Sequence, residues 1–365
     1  MKLSISKDIF LKGLQMVQSV INSHSPIPIL YNVLLTADKK NLYLSVTDLN
    51  IYMKCTLEAN IKKTGSTTIS ARRLFNIIRE LPNENIDIEV DDKNTAFIQC
   101  GSSSYKIFGI SPEEFPEMPT FDESKDLSQD QGTFKEMLKQ IIYAASTDES
   151  RQILNGILLS CNNQKLTAVA TDGRRLALIE QEVEVPFDSQ MDVIIPTKTV
   201  NELIKTLNDE GILKIRIQPK MISFENENSM IISKLSEGNY PNYQQVIPTQ
   251  YEERLTIERE SLLSALKRVS LLTNEKFPSI QITLTKNQIK ISATTPDIGE
   301  AHETIPVKYS GKQIKAAFNP EFFIEPLYNL TNDEIFIEFV DDMSPAVIKC
   351  DIPFLYVLMP LRMNE

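Results

Sequence analysis

The chain has 365 residues, 42% of them apolar, with 49 acidic against 38 basic side chains and a formal net charge of -11. At roughly 100 to 200 residues per domain, this length suits two or three domains with a sizeable core. No run approaches the roughly 20 apolar residues that cross a bilayer. The opening MKLSISKDIFLKGL is amphipathic, with no charged start before a long apolar core, so the chain reads as cytoplasmic. Cys55, Cys100, Cys161 and Cys350 stand far apart with no CxxC, and His24 and His302 are the only histidines, which argues against a disulfide framework or a zinc site. The acidic balance excludes generic nucleic-acid binding unless cations are clustered, because phosphate neutralisation needs grouped Lys and Arg.

In chain order, the first amphipathic segment puts Phe10, Leu14 and Val17 on one helical face. An alternating strand follows with Leu42, Leu44 and Val46, running into Thr47. A second helix carries Leu74, Ile77, Ile78 and Leu81, and the unit closes on SYKIFGISPEEFPEM. This order then recurs. Phe134, Leu138 and Ile141 form the next helix, Leu166, Ala168 and Ala170 the strand before Thr171, and Val200, Leu203, Ile204 and Leu207 the second helix, closing on SMIISKLSEGNYPNY. The third copy has Leu262, Leu266 and Val269, then Ile289, Ile291 and Ala293 before Thr294, then Phe323, Pro326, Leu327 and Leu330, closing on FLYVLMPLRMNE. Pro326 lacks an N–H and clashes with the preceding turn, so it predicts a kink or an early end to its helix. Three units at 1–120, 121–247 and 248–365 follow, each α+β, with helices packed on an antiparallel sheet.

The middle copy departs from its siblings just after the shared threonine, reading Thr171-Asp172-Gly173-Arg174-Arg175-Leu176-Ala177 where the others read TDLNIYM and TTPDIGE. Gly173 permits positive φ and a backbone open to a ligand, and the arginines can bond carbonyls or carboxylates. A plain glycine turn with solvated arginines fits this segment equally well. A metal-dependent hydrolase built on Asp91-Asp92, Asp341-Asp342, Asp172 and Asp48 is the competing enzymatic reading. Those residues lie in different repeats without a nucleophile motif, which disfavours it.

TDGRRLA resembles the TDGHRLA-type signature of bacterial beta sliding clamps, the beta subunit of DNA polymerase III. LNG (Leu154 to Gly156), EGNYPNY (Glu237 to Tyr243), NEKF (Asn274 to Phe277), YSG (Tyr309 to Gly311) and VLMPLR (Val357 to Arg362) also match, over essentially the full length. The resemblance implies a DNA-clamp fold whose three repeated domains close as a head-to-tail dimeric ring. It implies a non-catalytic processivity factor on double-stranded DNA, without cofactor, metal or membrane. Its partners are the replicative polymerase, the clamp loader and other clamp-motif proteins. A repeat scaffold that binds proteins without encircling DNA is the alternative.

Carried onto this chain, the family's client-peptide pocket contains Leu154, Thr171, Gly173, Arg174, Arg175, Leu176, Pro241, Val246, Met343, Val357, Met359, Pro360, Leu361 and Arg362. Apolar members accept Leu and Phe anchors and Arg175 orients the peptide; Val357 to Leu361 also reads as a core strand. Arg174 stands where the family often has histidine, and Gln245 where it often has arginine. The resemblance places Leu271 and Leu272 opposite Tyr105 and Ile107 at the dimer interface, although all four also fit an intradomain core. For DNA, the polar helix sides offer Lys12, Arg72, Arg79, Lys139, Lys198, Lys205, Lys267 and Arg268, for which solvated surface is the other reading. His24 replaces a common arginine in the family's DNA-touching loop.

Overall fold

The computed structural model describes residues 1–21, 26–121, 125–183, 191–296 and 298–362. The first repeat contains β1 (Lys2–Ser6), α1 (Lys7–Gln18), β2 (Asn32–Ala37), β3 (Asn41–Thr47), β4 (Ile51–Glu58), β5 (Asn60–Lys63), β6 (Gly65–Ser70), α2 (Ala71–Glu80), β7 (Asn85–Val90), β8 (Thr95–Cys100) and β9 (Ser103–Phe108). The middle repeat contains β10 (Lys125–Asp130), α3 (Gln131–Ile142), β11 (Gly156–Asn162), β12 (Lys165–Thr171), β13 (Arg175–Glu182), β14 (Met191–Pro196), α4 (Thr197–Thr206), β15 (Ile212–Gln218), β16 (Met221–Glu225) and β17 (Ser229–Lys234). The third contains β18 (Glu253–Glu258), α5 (Arg259–Ser270), β19 (Ile280–Thr285), β20 (Gln288–Thr295), β21 (Gly299–Pro306), β22 (Ile314–Phe318), α6 (Pro320–Asn329), β23 (Glu334–Phe339), β24 (Ala346–Lys349) and β25 (Phe354–Leu358). Each copy runs strand, helix, strands, helix, three strands; β5 has no counterpart among the described residues.

Compactness divides the chain differently from the repeat. One unit is Met1–Lys135 with Lys198–Leu235, the other Glu136–Thr197 with Ser236–Glu365, so the middle repeat contributes to both. The first unit holds a five-stranded sheet, β5-β1-β7-β8-β9, and an eight-stranded sheet, β10-β15-β16-β17-β4-β3-β2-β6. The second holds β14-β11-β12-β13-β25-β24-β23-β18 and a four-stranded sheet, β21-β20-β19-β22. Within each unit one strand joint crosses repeats. β17 pairs antiparallel with β4, setting Ile231 against Met53, and β13 pairs with β25, setting Ala177 against Tyr356.

The periodicities explain the elements. Phe10, Leu14 and Val17 are buried on α1, as are Leu262, Leu266 and Val269 on α5, while strands such as β3 alternate buried and half-buried positions. α6 continues through Pro326 to Asn329, which corrects the expectation of an early end. Proline removes the donor that normally engages the carbonyl four residues earlier. That carbonyl, of Phe322, instead accepts from the Tyr356 hydroxyl at 2.8 Å. Asn319 caps the helix start through the Glu321 N–H at 3.0 Å, and Arg259 Nη1 bonds the Leu327 carbonyl near its end at 2.8 Å.

Candidate functional site

Thr171 and Leu176 face each other across the β12–β13 hairpin. Thr171 Oγ1 donates to the Arg175 carbonyl at 2.6 Å and accepts from the Gly173 N–H at 3.1 Å. Asp172 Oδ1 accepts from the N–H groups of Arg174 and Arg175 at 2.8 and 3.1 Å. Gly173 sits at φ +87, with nothing within 4 Å of where a Cβ would stand. The first repeat builds the same network: Thr47 Oγ1 bonds the Ile51 carbonyl and the Leu49 N–H, both at 2.9 Å, and Asp48 accepts from Asn50 and Ile51. Leu49 there adopts φ 73. The specialisation is therefore in side chains, since the backbone turn is common to both.

Arg175 is buried. Its guanidinium bonds Asp172 Oδ2 at 3.1 Å, Glu325, and the Tyr143 carbonyl at 2.5 Å, and lies 4.4 Å over the Phe322 ring. Burial opposes its charge, yet Tyr356, Glu325 and Asp172 outweigh that penalty and hold its pKa above the ordinary value. These internal partners make Arg175 a brace that fixes the turn against α6. Arg151 Nη1, which the sequence reading did not single out, reaches the Asp172 carbonyl at 3.3 Å.

Beside the turn lies an apolar face. Leu158, Val169, Leu178 and Leu355 stand in one cross-strand row of β11, β12, β13 and β25. Leu158, Val169, Leu176 and Val357 form a buried cluster, with Leu178, Tyr240, Tyr243, Ile247 and Leu355 packed on it. The Tyr240 hydroxyl contacts the Val169 carbonyl at 3.4 Å, and burial pushes its phenol pKa up. A cavity of ≈ 350 Å³ opens among Leu158, Ser160, Ile194 and the Gly238–Gln244 segment, which includes Pro241.

Of the predicted pocket residues, Thr171, Arg175, Leu176 and Val357 are buried, and Leu154 and Pro360 half-buried. Gly173, Arg174, Pro241, Val246, Met343, Met359, Leu361 and Arg362 are exposed. The Met359 N–H bonds the Arg174 carbonyl at 3.0 Å, tying the strand end to the turn, and the Leu361 N–H bonds Ala317. Leu154 precedes β11 and Met343 lies between β23 and β24, outside the cluster. Leu158, Val169, Leu178, Tyr240, Tyr243, Ile247 and Leu355 were missed. For Leu158, Val169, Leu178 and Leu355 their shared face on paired strands was the available signal, whereas Tyr240, Tyr243 and Ile247 lie in the segment after β17.

The acidic residues of the hydrolase reading instead organise turns. Asp91 accepts from Lys93 and Thr95, and Asp341 from Met343 and Ser344; backbone hydrogen bonding is the leading cause that lowers both pKa values. Asp342 accepts from the Lys315 N–H. Among the described residues no three His, Cys, Asp or Glu side chains gather as metal ligands.

The basic helix residues divide into paired and unpaired cations. Lys139 pairs with Glu136 at 2.6 Å, Lys205 with Glu202 at 3.0 Å, Arg79 with Glu80 at 3.0 Å, Lys198 with Asp48, and Arg268 with Glu303. Lys12, Arg72 and Lys267 are exposed and form no ion pair among the described residues. Lys267 lies over the Tyr328 ring at 5.2 Å. His24 lies outside the described residues.

Both terminal sheets end in a bare strand, β9 in one unit and β21 in the other. Ile107 is buried in its own unit and Tyr105 is half-buried, so for Ile107 the burial matches the intradomain-core alternative of the sequence reading. Phe108 is the exposed member, at 77%. Leu271 is 78% exposed and Phe277 81%, whereas Leu272 is half-buried and would meet a Cβ on Gly299 at 3.7 Å.

Strand-joined helix-on-sheet repeats, exposed basic residues on helices and one specialised turn beside an apolar row are the architecture of the clamp class. The family models of the DNA polymerase III beta subunit match the chain throughout: the N-terminal domain at residues 1–119, the central domain at 128–242 and the C-terminal domain at 244–362. The beta sliding clamp of Chlamydia muridarum is 32% identical over 365 residues, and that of Pseudomonas putida 30% over 369, each alignment covering 100% of both chains. The crystal structure of the Bacillus subtilis clamp superposes with a TM-score of 0.95 at 27% identity, and a Pseudomonas aeruginosa clamp bound to griselimycin with 0.96 at 29%, both covering 100% of each chain. The chain belongs to the DNA polymerase III beta subunit family. It is a DNA sliding clamp, a processivity factor that tethers polymerase and is not an enzyme.

Proposed function

We propose that two copies close head to tail into a ring around duplex DNA, and that client peptides dock on the β13–β25 face beside the Thr171–Arg175 turn. The carrying observation is that both internal joints use the same strand pair. β4 receives β17 and β13 receives β25, which leaves their equivalents β21 and β9 as open edges. Joining these two edges is a heterologous contact, and a closed ring of two copies leaves neither edge bare.

The internal joints also supply a register. Met53 and Ala177 correspond to Ala301 by their hairpin partners Val46, Ala170 and Ala293, and Ile231 and Tyr356 correspond to Tyr105. Repeating the register sets Ala301 against Tyr105, Glu300 against Lys106, Gly299 against Ile107, and Ile298 against Phe108. It thereby pairs opposite charges and brings exposed apolar residues together, with Leu272 beside Gly299.

Docking is supported by the apolar row, by exposed Met359 and Leu361, and by the open space over Gly173; that a relative carries griselimycin supports a ligand-accepting fold. DNA contact through Lys12, Arg72 and Lys267, joined by weakly paired Arg79, Lys139, Lys198, Lys205 and Arg268, is sequence-blind and salt-sensitive. The protein acts in the cytoplasm, in three repeats bounded near residues 120 and 247.

The test is retention. Rings loaded on nicked circular DNA persist in moderate salt and slide off once the circle is cut. Lys106→Glu abolishes retention by opening the ring, and adding Glu300→Lys restores it. Equal retention on circular and open-ended linear DNA, or a monomer in solution that still binds client peptide, favours the open scaffold instead.

A further inference from the structure

The first repeat carries its own version of the docking face. Leu34, Ser45, Lys54 and Met230 form the cross-strand row equivalent to Leu158, Val169, Leu178 and Leu355. The segment Ile110 to Met118, one residue longer, stands in the place of Ser236 to Tyr243: the Ile110 N–H bonds the Thr68 carbonyl as the Ser236 N–H bonds that of Ile194, and Phe115-Pro116 answers Tyr240-Pro241. A cavity of ≈ 320 Å³ lies between this row and this wall. Leu34, Val46, Phe115 and Met118 supply apolar lining. The polar lining is different in kind from that of the middle repeat: Lys54 Nζ stands 4.1 Å over the Tyr43 ring and forms no direct salt bridge among the described residues, although its charge reaches Asp38. Tyr52 lies on the neighbouring outward position of β4, and Glu117 is the acidic residue of the wall.

We propose that this cavity is a second peptide-docking site, taking a short segment that presents a leucine or phenylalanine side chain next to a carboxylate. The apolar lining receives the side chain. Lys54 receives the carboxylate: as a half-buried ammonium over an aromatic face, it gains a charge-assisted hydrogen bond without breaking an existing ion pair. On the turn side Leu49 backs the cavity-lining Phe115. It packs on the cluster of Ile29, Leu30 and Phe115, where the equivalent Gly173 leaves open space. The site therefore suits one anchor and a charge rather than an extended apolar motif.

The choice of a peptide as occupant rests on the peptide reading of the equivalent row in the middle repeat, and the experiment separates the two. Full-length protein with labelled methionine methyls is titrated with N-acetyl-leucyl-phenylalanine and with its C-terminal amide. Met118 reports the first repeat and Met359 the middle one. The expected result is a saturating Met118 shift for the free acid, with affinity reduced about tenfold in the amide, in Lys54→Met and in Lys54→Glu, an effect of the size of one partly screened charge-assisted contact. Absence of a saturating Met118 shift overturns the proposal whether or not Met359 responds, and so does equal affinity for acid and amide. A Met118 response without a Met359 response supports the first-repeat site and counts against the middle-repeat reading alone.

Discussion

The first and middle repeats fold the same hairpin into the same turn and put it to different uses. In one, Leu49 holds positive φ and covers the turn with its side chain; in the other, Gly173 holds it and leaves the turn bare. In one the adjoining row is Leu34, Ser45, Lys54 and Met230; in the other it is Leu158, Val169, Leu178 and Leu355. A left-handed leucine costs roughly 1 to 2 kcal/mol, which its packing offsets. Backbone architecture is thus held constant while outward side chains decide which face accepts an apolar motif.

The largest test of that contrast is at the joint itself. Arg175 stands where the first repeat has buried Ile51, so one joint is braced by charges and the other by hydrocarbon. Arg175→Ala leaves Asp172 and Glu325 without their cation and empties the space beside Phe322. It should destabilise the second unit by about 3 to 5 kcal/mol in a denaturant titration. A loss below about 1 kcal/mol, the scale of an exposed pair, would show the cluster to be incidental.

Exchanging the row residues is the next step down. Leu178→Lys places an ammonium in the apolar row and should weaken a clamp-motif peptide about 10- to 100-fold, equivalent to about 1.4 to 2.8 kcal/mol. Lys54→Leu, the reverse exchange in the first repeat, should leave that affinity unchanged when both variants are titrated with the same labelled peptide and followed by fluorescence anisotropy. Similar losses from both substitutions would erase the distinction between the faces.

The smallest effect is one of pH. Burial raises the Cys55 thiol in β4 from 9.0 to about 11, whereas Ile179, its equivalent in β13, does not titrate. The folded protein keeps a proton that the unfolded chain releases, so this contribution is complete below pH 9 and declines as pH climbs towards 11. Melting curves should show a steeper loss between pH 9 and 11 for the native chain than for Cys55→Ser. Parallel curves would mean that Cys55 opens to solvent before the unit melts.

The helical and strand periodicities made the threefold repeat legible, because burial of one face forces apolar residues to recur at 3.6 or 2 residues wherever an element packs. The Thr171–Leu176 turn was legible for a related reason: a threonine and aspartate that satisfy their own backbone, followed by glycine, describe a turn locally. The continuation of α6 through Pro326 was not legible because the partner of the Phe322 carbonyl comes from Tyr356, far along the chain, and no local pattern reports such a partner. The internal partners of Arg175 were hidden for the same reason, with Glu325 and Phe322 on α6 of the third repeat, far along the chain from β13.

Sequence by itself determined the number of repeats, the helix and strand faces and the family, since these depend on periodicity and on the order of local motifs. Only the tertiary structure decided which strands join repeats, which edges stay bare, and which cations already have carboxylate partners. It also revealed that the row beside the turn is apolar in one repeat and cationic in another. Those outcomes depend on register between strands distant in the chain, and a shift of one residue in register would turn every one of those side chains to the opposite face.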